Sequence, residues 1–220
     1  MPHDAHRPSL RDSRRRAGRF AVALVLALPA AVLATPAHAA SSCVVNGVAR
    51  TGPLIVGTPG ADTISCSSVD AVTLVDALAG DDAIVLTGLV DGRVRAGDGI
   101  DRVLLTSTAE LTDRGDVDGQ RDPDRFEISG RTFGTVRGGQ DGDRILLLAS
   151  ATMGPRTDIR GARGPDEISA HPSVVVRGLV EGNDDNDVIL VGHNAGTVDG
   201  GPGTDRCVVL SGNPPLNCNP

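Results

Sequence analysis

Eight aspartates, Asp62, Asp82, Asp101, Asp124, Asp143, Asp166, Asp187 and Asp205, recur along the chain at gaps of 20, 19, 23, 19, 23, 21 and 18 residues. Each stands in the same local setting. Five positions before it is a residue with no more than a methyl group: Gly57, Ala77, Ala96, Gly119, Gly138, Gly161, Gly182 and Gly200. Two positions after it come Ile64, Ile84, Val103, Phe126, Ile145, Ile168, Ile189 and Cys207, and four after it Cys66, Leu86, Leu105, Ile128, Leu147, Ala170, Val191 and Val209. Seven before it, Ile55, Val75, Val94, Val117, Val136, Ile159, Val180 and Val198 are all β-branched. Agreement in four columns marks an internal repeat. If the copies stack in register, neighbouring carboxylates lie about 5 Å apart along one edge. At an effective dielectric constant of about 20, each adjacent pair then repels by about 3 kcal/mol. Such an edge calls for a cation. Calcium is the natural candidate, because it is hard, accepts six to eight oxygens in flexible geometry and takes backbone carbonyls beside carboxylates. For a single aspartate the alternative is an Asx-type turn that satisfies backbone amides; eight in register favour the cation. The small residue five before the aspartate and the glycine two before it are expected to bend the backbone so that its carbonyls face the ion.

The elements that position these carboxylates follow from the apolar columns. Residues two apart on a strand share a face, so the β-branched column marks one short strand and the two apolar columns a second, joined by a tight turn that ends at the aspartate. A looser turn leads back. The spacing predicts an all-β fold, a parallel β-roll or β-solenoid of about eight coils with two short strands per coil, over residues 54–210. Residues 40–53 read as an N-terminal segment covering the first coil, and 211–220, rich in proline and asparagine, as a stapled tail. The chain has no Trp or Tyr, which suits a narrow core between two sheets. An outward column, Val56, Asp76, Arg95, Asp118, Arg137, Arg160, Glu181 and Asp199, mostly alternates in sign, with Arg137 and Arg160 as a like pair. Such pairs control register at under about 1 kcal/mol each. The variation in repeat length falls on the return turns, so segments 106–114 and 150–156 hang from the edge opposite the aspartates.

Residues 1–39 read as a secretory signal peptide: a leader with Arg7, Arg11, Arg14, Arg15, Arg16 and Arg19, an apolar run from Phe20 to Leu33, and a cleavage signature at Ala37-His38-Ala39. The run is short for a membrane span, the alternative being a helix that stays attached. Without the leader 15 basic and 26 acidic residues remain, a net charge near -11. That balance argues against nucleic acid or anionic lipid and suits a protein that takes up cations. Four cysteines in an exported chain imply an oxidising destination. Of three possible connectivities, Cys43 with Cys66 and Cys207 with Cys218 is favoured, because it staples each open end of the stack.

The stretch Gly200-Gly201-Pro202-Gly203-Thr204-Asp205-Arg206-Cys207-Val208 is the most complete copy of the repeat. On it, and on the seven less perfect copies, the chain resembles the repeats-in-toxin, or haemolysin-type calcium-binding, family over nearly all of its mature length. The resemblance implies that the six-residue turn supplies carbonyls, that its aspartate supplies a carboxylate, and that each calcium ion sits between turns of successive coils. The metal-binding role then falls on Asp62, Asp82, Asp101, Asp124, Asp143, Asp166, Asp187 and Asp205, with Asp98 and Asp184 as possible extra ligands. Departures are plain: Asp122, Asp141 and Asp185 replace the fourth-position residue in three copies, Ala77 and Ala96 the first in two, and all nonapeptides lie on one edge.

Three functions compete on the sequence. The first is a secreted calcium-ion-binding β-roll whose folding is coupled to calcium. The second is a calcium-independent extracellular scaffold or adhesin. The third is a carbohydrate-active β-helix enzyme, against which stand the lack of Lys and Tyr, of His-Glu-x-x-His and of Gly-x-Ser-x-Gly. The chain is expected not to be an enzyme. Only His171 and His193 remain after the leader, both on the return edge, and two ligands are too few for a transition-metal site. A protein or polysaccharide partner is not specified by the sequence.

Overall fold

The β-branched residues seven before each aspartate sit side by side as successive rungs of one parallel sheet: Ile55 beside Val75, then Val94, Val117, Val136, Ile159, Val180 and Val198. The residues two after each aspartate do the same in a second sheet, from Ile64 through Ile84, Val103, Phe126, Ile145, Ile168 and Ile189 to Cys207. In this computed structural model, which describes residues 40–219, the chain is an all-β parallel solenoid of about eight coils. The predicted leader and its cleavage lie outside the described residues. Both columns point inward, and from Ile55 to Val198 and Ile64 to Ile189 they are no more than 1% exposed. Burying a Val or Ile side chain contributes about 1.5–3 kcal/mol, so this double column drives the stacking.

Coils are numbered here by their aspartates, from Asp62 in coil 1 to Asp205 in coil 8. In coils 2 and 7 the strand after the aspartate is long, Ala83–Val90 and Val188–Asn194. Between them the strand breaks at the return turn and a short third strand follows it: Glu110–Leu111, Arg131–Thr132, Thr152–Met153 and Val175–Val176. Leu111, Thr132, Met153 and Val176 point inward and extend the core beneath the return edge. On the outer face of the eight-stranded sheet, the like pair Arg137 and Arg160 is relieved sideways. Arg137 turns to Asp116 at 2.7 Å and Arg160 to Asp158 at 2.8 Å, each on the neighbouring outward column.

The ends are closed differently. At the start, an antiparallel hairpin of Ser42–Val45 and Val48–Arg50 lies along Thr63–Val69 and buries Cys43 and Val45. At the finish, Cys207 and Val209 are only partly covered. The tail turns back so that Leu216 exchanges backbone hydrogen bonds with Val198 and Gly200. The disulfides are Cys43–Cys66 and Cys207–Cys218, the favoured pairing. Each closes a short loop, worth about 3 kcal/mol by chain entropy. Among the described residues no helix is long and apolar enough to cross a membrane.

Candidate functional site

The tight turns bring all eight aspartates into one column, and every one is buried, 1–3% exposed. The geometry follows from the direction of their backbone groups. Each aspartate carbonyl from coil 1 to coil 7 accepts the amide that follows the next coil's aspartate, as in Arg144 N to Asp124 O at 2.8 Å. Its own N–H also faces the next coil, where the turn offers no carbonyl. The next carboxylate supplies the acceptor instead. Asp62 N–H donates to Asp82 Oδ1 at 2.7 Å, Asp82 to Asp101 at 2.8 Å, Asp101 to Asp124 at 2.8 Å and Asp124 to Asp143 at 2.8 Å. The series continues to Asp166, Asp187 and Asp205 at 2.7, 2.8 and 2.9 Å. From Asp82 to Asp205 the amide-capping alternative is thus realised between coils, and it uses only half of each carboxyl group.

The other half is unmatched. Oδ2 of Asp82, Asp101, Asp124, Asp143, Asp166, Asp187 and Asp205 is buried without a hydrogen-bond partner. Where the residue five before is glycine, Oδ2 packs against it, and the backbone there is not left-handed, contrary to the expectation that smallness serves a bend. The residue is small because the carboxyl leans on it: a Cβ at Gly161 would stand 2.0 Å from Asp166 Oδ2, and one at Gly182 2.1 Å from Asp187 Oδ2. The left-handed turn positions are four and two before the aspartate, as at Gln120 (φ 85°) and Asp122 (φ 68°). Non-glycine residues hold that conformation at a cost.

Burial in this column pushes the carboxyl groups up from their ordinary range. Neighbouring carboxylates add to the push and the amide of the preceding coil opposes it. Asp124 rises to about 9, Asp143 to about 8, Asp101, Asp166 and Asp187 to about 7, and Asp82 to about 6. Asp62 goes the other way. Burial pushes it up, but the Thr58 amide, the Asn46 side chain and the Thr58 hydroxyl together hold it below the usual range. Asp62, expected as one of eight equivalent ligands, therefore stands apart: Asn46 Nδ2 donates to Oδ1 and Thr58 N–H to Oδ2, so both its oxygens are engaged. Asn46 also accepts Thr63 N–H at 2.9 Å, and so takes the place of a preceding coil. The sequence reading missed this residue.

The donor set can be tested against calcium on these contacts. At Gly119 a Cβ would lie 2.1 Å from Asp124 Oδ2 and 2.3 Å from the carbonyl oxygen of Gly138 in the next coil. At Gly182 the corresponding distances are 2.1 Å to Asp187 Oδ2 and 2.5 Å to Gly200 O. A carboxylate oxygen and a carbonyl oxygen thus approach the same point from two coils. The buried carboxylate oxygen, having no donor, needs a proton or a cation nearby. Among the described residues no three His, Cys, Asp or Glu side chains gather, so an ion would complete its shell with backbone carbonyls or water. Hard oxygen donors in this proportion fit calcium.

The chain matches no protein-family model, no curated protein and no solved structure.

The remaining sequence-predicted groups lie elsewhere. Asp98 and Asp184 face solvent beside Arg121 and Arg163, at 3.3 and 4.0 Å, and do not join the column. His171 Nδ1 meets Ser173 Oγ at 2.8 Å and His193 Nδ1 meets Ser211 Oγ at 2.9 Å, each on the return edge.

Proposed function

We propose that this chain is a secreted calcium-ion-binding solenoid, not an enzyme, in which calcium and folding are coupled. The observation that carries the reading is the unbroken run of buried, unmatched Oδ2 atoms from Asp82 to Asp205. Those seven aspartates would hold calcium together with carbonyls of their turns. Bound calcium supplies the positive charge that buried carboxylates need to stay ionised near neutral pH. The chain's own residues do the rest. The inter-coil amides fix Oδ1, the small residues give Oδ2 its space, and Asn46 closes the column at its start. The resemblance of the nonapeptides to the haemolysin-type repeat supports the same reading, and two disulfides suit an oxidising, extracellular destination.

The calcium-independent scaffold is favoured by one specific observation: the Oδ1-to-amide ladder closes every coil contact without an ion, and protons on Oδ2 could neutralise the rest. Calorimetric titration of the mature protein at pH 7.5, with circular dichroism in calcium and in chelator, separates the two. Calcium binding predicts uptake of several ions per chain and a melting temperature that drops in chelator and recovers on adding calcium. No binding heat at millimolar calcium, with superimposable melting curves, would leave the scaffold.

A further inference from the structure

A cleft of about 570 Å³ opens on the outer face of the eight-stranded sheet where it meets the turns. Its floor is low for a reason visible in the register. Gln120, Gly139 and Ala162 are successive rungs, so two small residues follow one long one. One residue further along the turn, coils 3 to 7 carry Asp98, Arg121, Gln140, Arg163 and Asp184. The row is symmetric about Gln140. Arg121 is registered beside Asp98 and Arg163 beside Asp184, so each arginine has its acid on the side away from the cleft.

These outer pairs are loose. Arg121 Nη1 lies 3.3 Å from Asp98 with both side chains more than half exposed, and Arg163 Nε lies 4.0 Å from Asp184 with both exposed. Exposed pairs of this kind are worth about 0–1 kcal/mol, so either guanidinium can exchange its partner for a ligand. Arg137, deeper in the cleft, differs: Asp116 at 2.7 Å and Asp118 at 3.5 Å hold it as a fixed wall. Two coils separate the exchangeable arginines, roughly 9–10 Å at ordinary strand spacing. Between them Gln120, Gln140 and Asp118 offer amide donors, amide acceptors and a carboxylate over the flat backbone of Gly139.

Guanidinium forks match carboxylate and sulfate groups two hydrogen bonds at a time. Amides and carboxylates match hydroxyl groups. We propose that this cleft binds an anionic oligosaccharide, with Arg121 and Arg163 each taking a carboxylate or sulfate and Gln120, Gln140 and Asp118 the intervening hydroxyls. Nucleic acid is disfavoured because the cleft has no aromatic side chain on which a base could stack. The cleft shares turns with the aspartate column but uses none of the column's carboxyl groups, so either reading can fail alone.

The test uses the mature, disulfide-bonded protein in constant millimolar calcium. Fluorescence anisotropy is read with labelled oligogalacturonate, heparin-derived hexasaccharide and neutral maltohexaose. At least one anionic sugar binds and the neutral sugar does not; binding of oligogalacturonate shows that carboxylates suffice, and binding of the heparin hexasaccharide alone, which carries both groups, shows that sulfate is needed. Arg121→Gln and Arg163→Gln each weaken that binding about tenfold, as loss of a charge-assisted hydrogen-bonded contact should. Arg102→Gln, on the opposite sheet, leaves it unchanged, and melting curves of the three variants match the parent. Absence of binding by both anionic sugars, equal binding of maltohexaose, or affinity indifferent to Arg121→Gln and Arg163→Gln would overturn the proposal.

Discussion

The two edges of the coil solve the same problem in opposite ways. Along the return edge the buried polar groups are a mixture of Ser, Thr and Asn and are mostly matched by neighbours. Ser41 Oγ donates to Thr73 Oγ1 at 2.7 Å, which donates onward to the Gly52 carbonyl at 3.1 Å. Asn194 donates to Asn213 O at 3.0 Å while accepting Gly196 N–H at 3.0 Å, and Thr157 bridges the Thr132 carbonyl and Gly154 N–H. There, Thr132 Oγ1 alone among the described buried side-chain atoms is left without a partner. Along the aspartate edge one group is repeated, and from coil 2 onward it leaves one oxygen over each time. An irregular edge that satisfies itself can vary in length from coil to coil. A uniform edge with a constant shortfall cannot, and it points to something equally periodic that makes up the difference.

The largest test of that contrast is the pH dependence of stability without calcium. Six aspartates, Asp82, Asp101, Asp124, Asp143, Asp166 and Asp187, have folded values raised from 3.8 to between about 6 and about 9. The folded chain therefore holds protons that the unfolded chain has released. Their stabilisation is fully present below about pH 4 and is lost as pH rises through the folded values, at about 1.4 kcal/mol per unit for each group. Asp62, lowered, contributes in the opposite sense and loses its stabilisation on acidification. In chelator the melting temperature should fall steeply from pH 5 to pH 9, and calcium should flatten the curve. A flat profile in chelator would mean that the aspartate edge is as self-sufficient as the return edge.

Next in size are alanines placed where a Cβ has no room. At Gly161 it would meet Asp166 Oδ2 at 2.0 Å and Cγ at 2.6 Å, a buried group pinned by the Asp143 amide. At Gly154, on the return edge, it would meet Phe133 Cδ1 at 2.1 Å, on a ring that is only half-buried and can swing aside. Gly161→Ala should cost about 1–3 kcal/mol, as overpacking does, and Gly154→Ala well under that, by chemical denaturation. Ala77 and Ala96 show that the turn tolerates a methyl once the carboxyl is set for it, so the lower half of the range is expected.

The sequence showed the columns plainly because a period near twenty residues, repeated eight times, fixes which side chains share a face. It showed less where a residue acts once. Asn46 caps the column from a hairpin outside the repeat, and no periodicity marks it. The left-handed position four before the aspartate is occupied by Leu78, Gln120 and Ala162, types that do not announce such a backbone. Strands as short as Glu110–Leu111 carry no alternation to read. The small column was visible, but whether smallness serves a bend or a close approach is decided by where the carboxyl leans, which only coordinates reveal.

Within the aspartate edge, asparagine substitutions sharpen the contrast between the first coil and the rest. Asp143→Asn keeps an oxygen for Asp124 N–H and places an amide where Oδ2 lacked a partner. The chelated protein at pH 8 should be at least as stable as the parent, while calcium affinity measured by calorimetry falls severalfold. Asp62→Asn does the reverse. Its new amide would face either the Asn46 amide or Thr58 N–H, donor against donor. A loss of about 1–2 kcal/mol is expected with or without calcium.

The smallest effect belongs to the return edge. Thr157 is 1% exposed, and its hydroxyl donates to the Thr132 carbonyl and accepts Gly154 N–H at 3.0 Å. Valine would remove both contacts, yet Gly154 N–H also reaches the Thr132 carbonyl directly at 2.8 Å, so no backbone group is stranded. Thr157→Val should then cost only about 1 kcal/mol, and the same in calcium and in chelator. A larger loss that calcium repaired would couple this edge to the aspartate column across the core, and the division between a self-satisfied edge and a needy one would have to be given up.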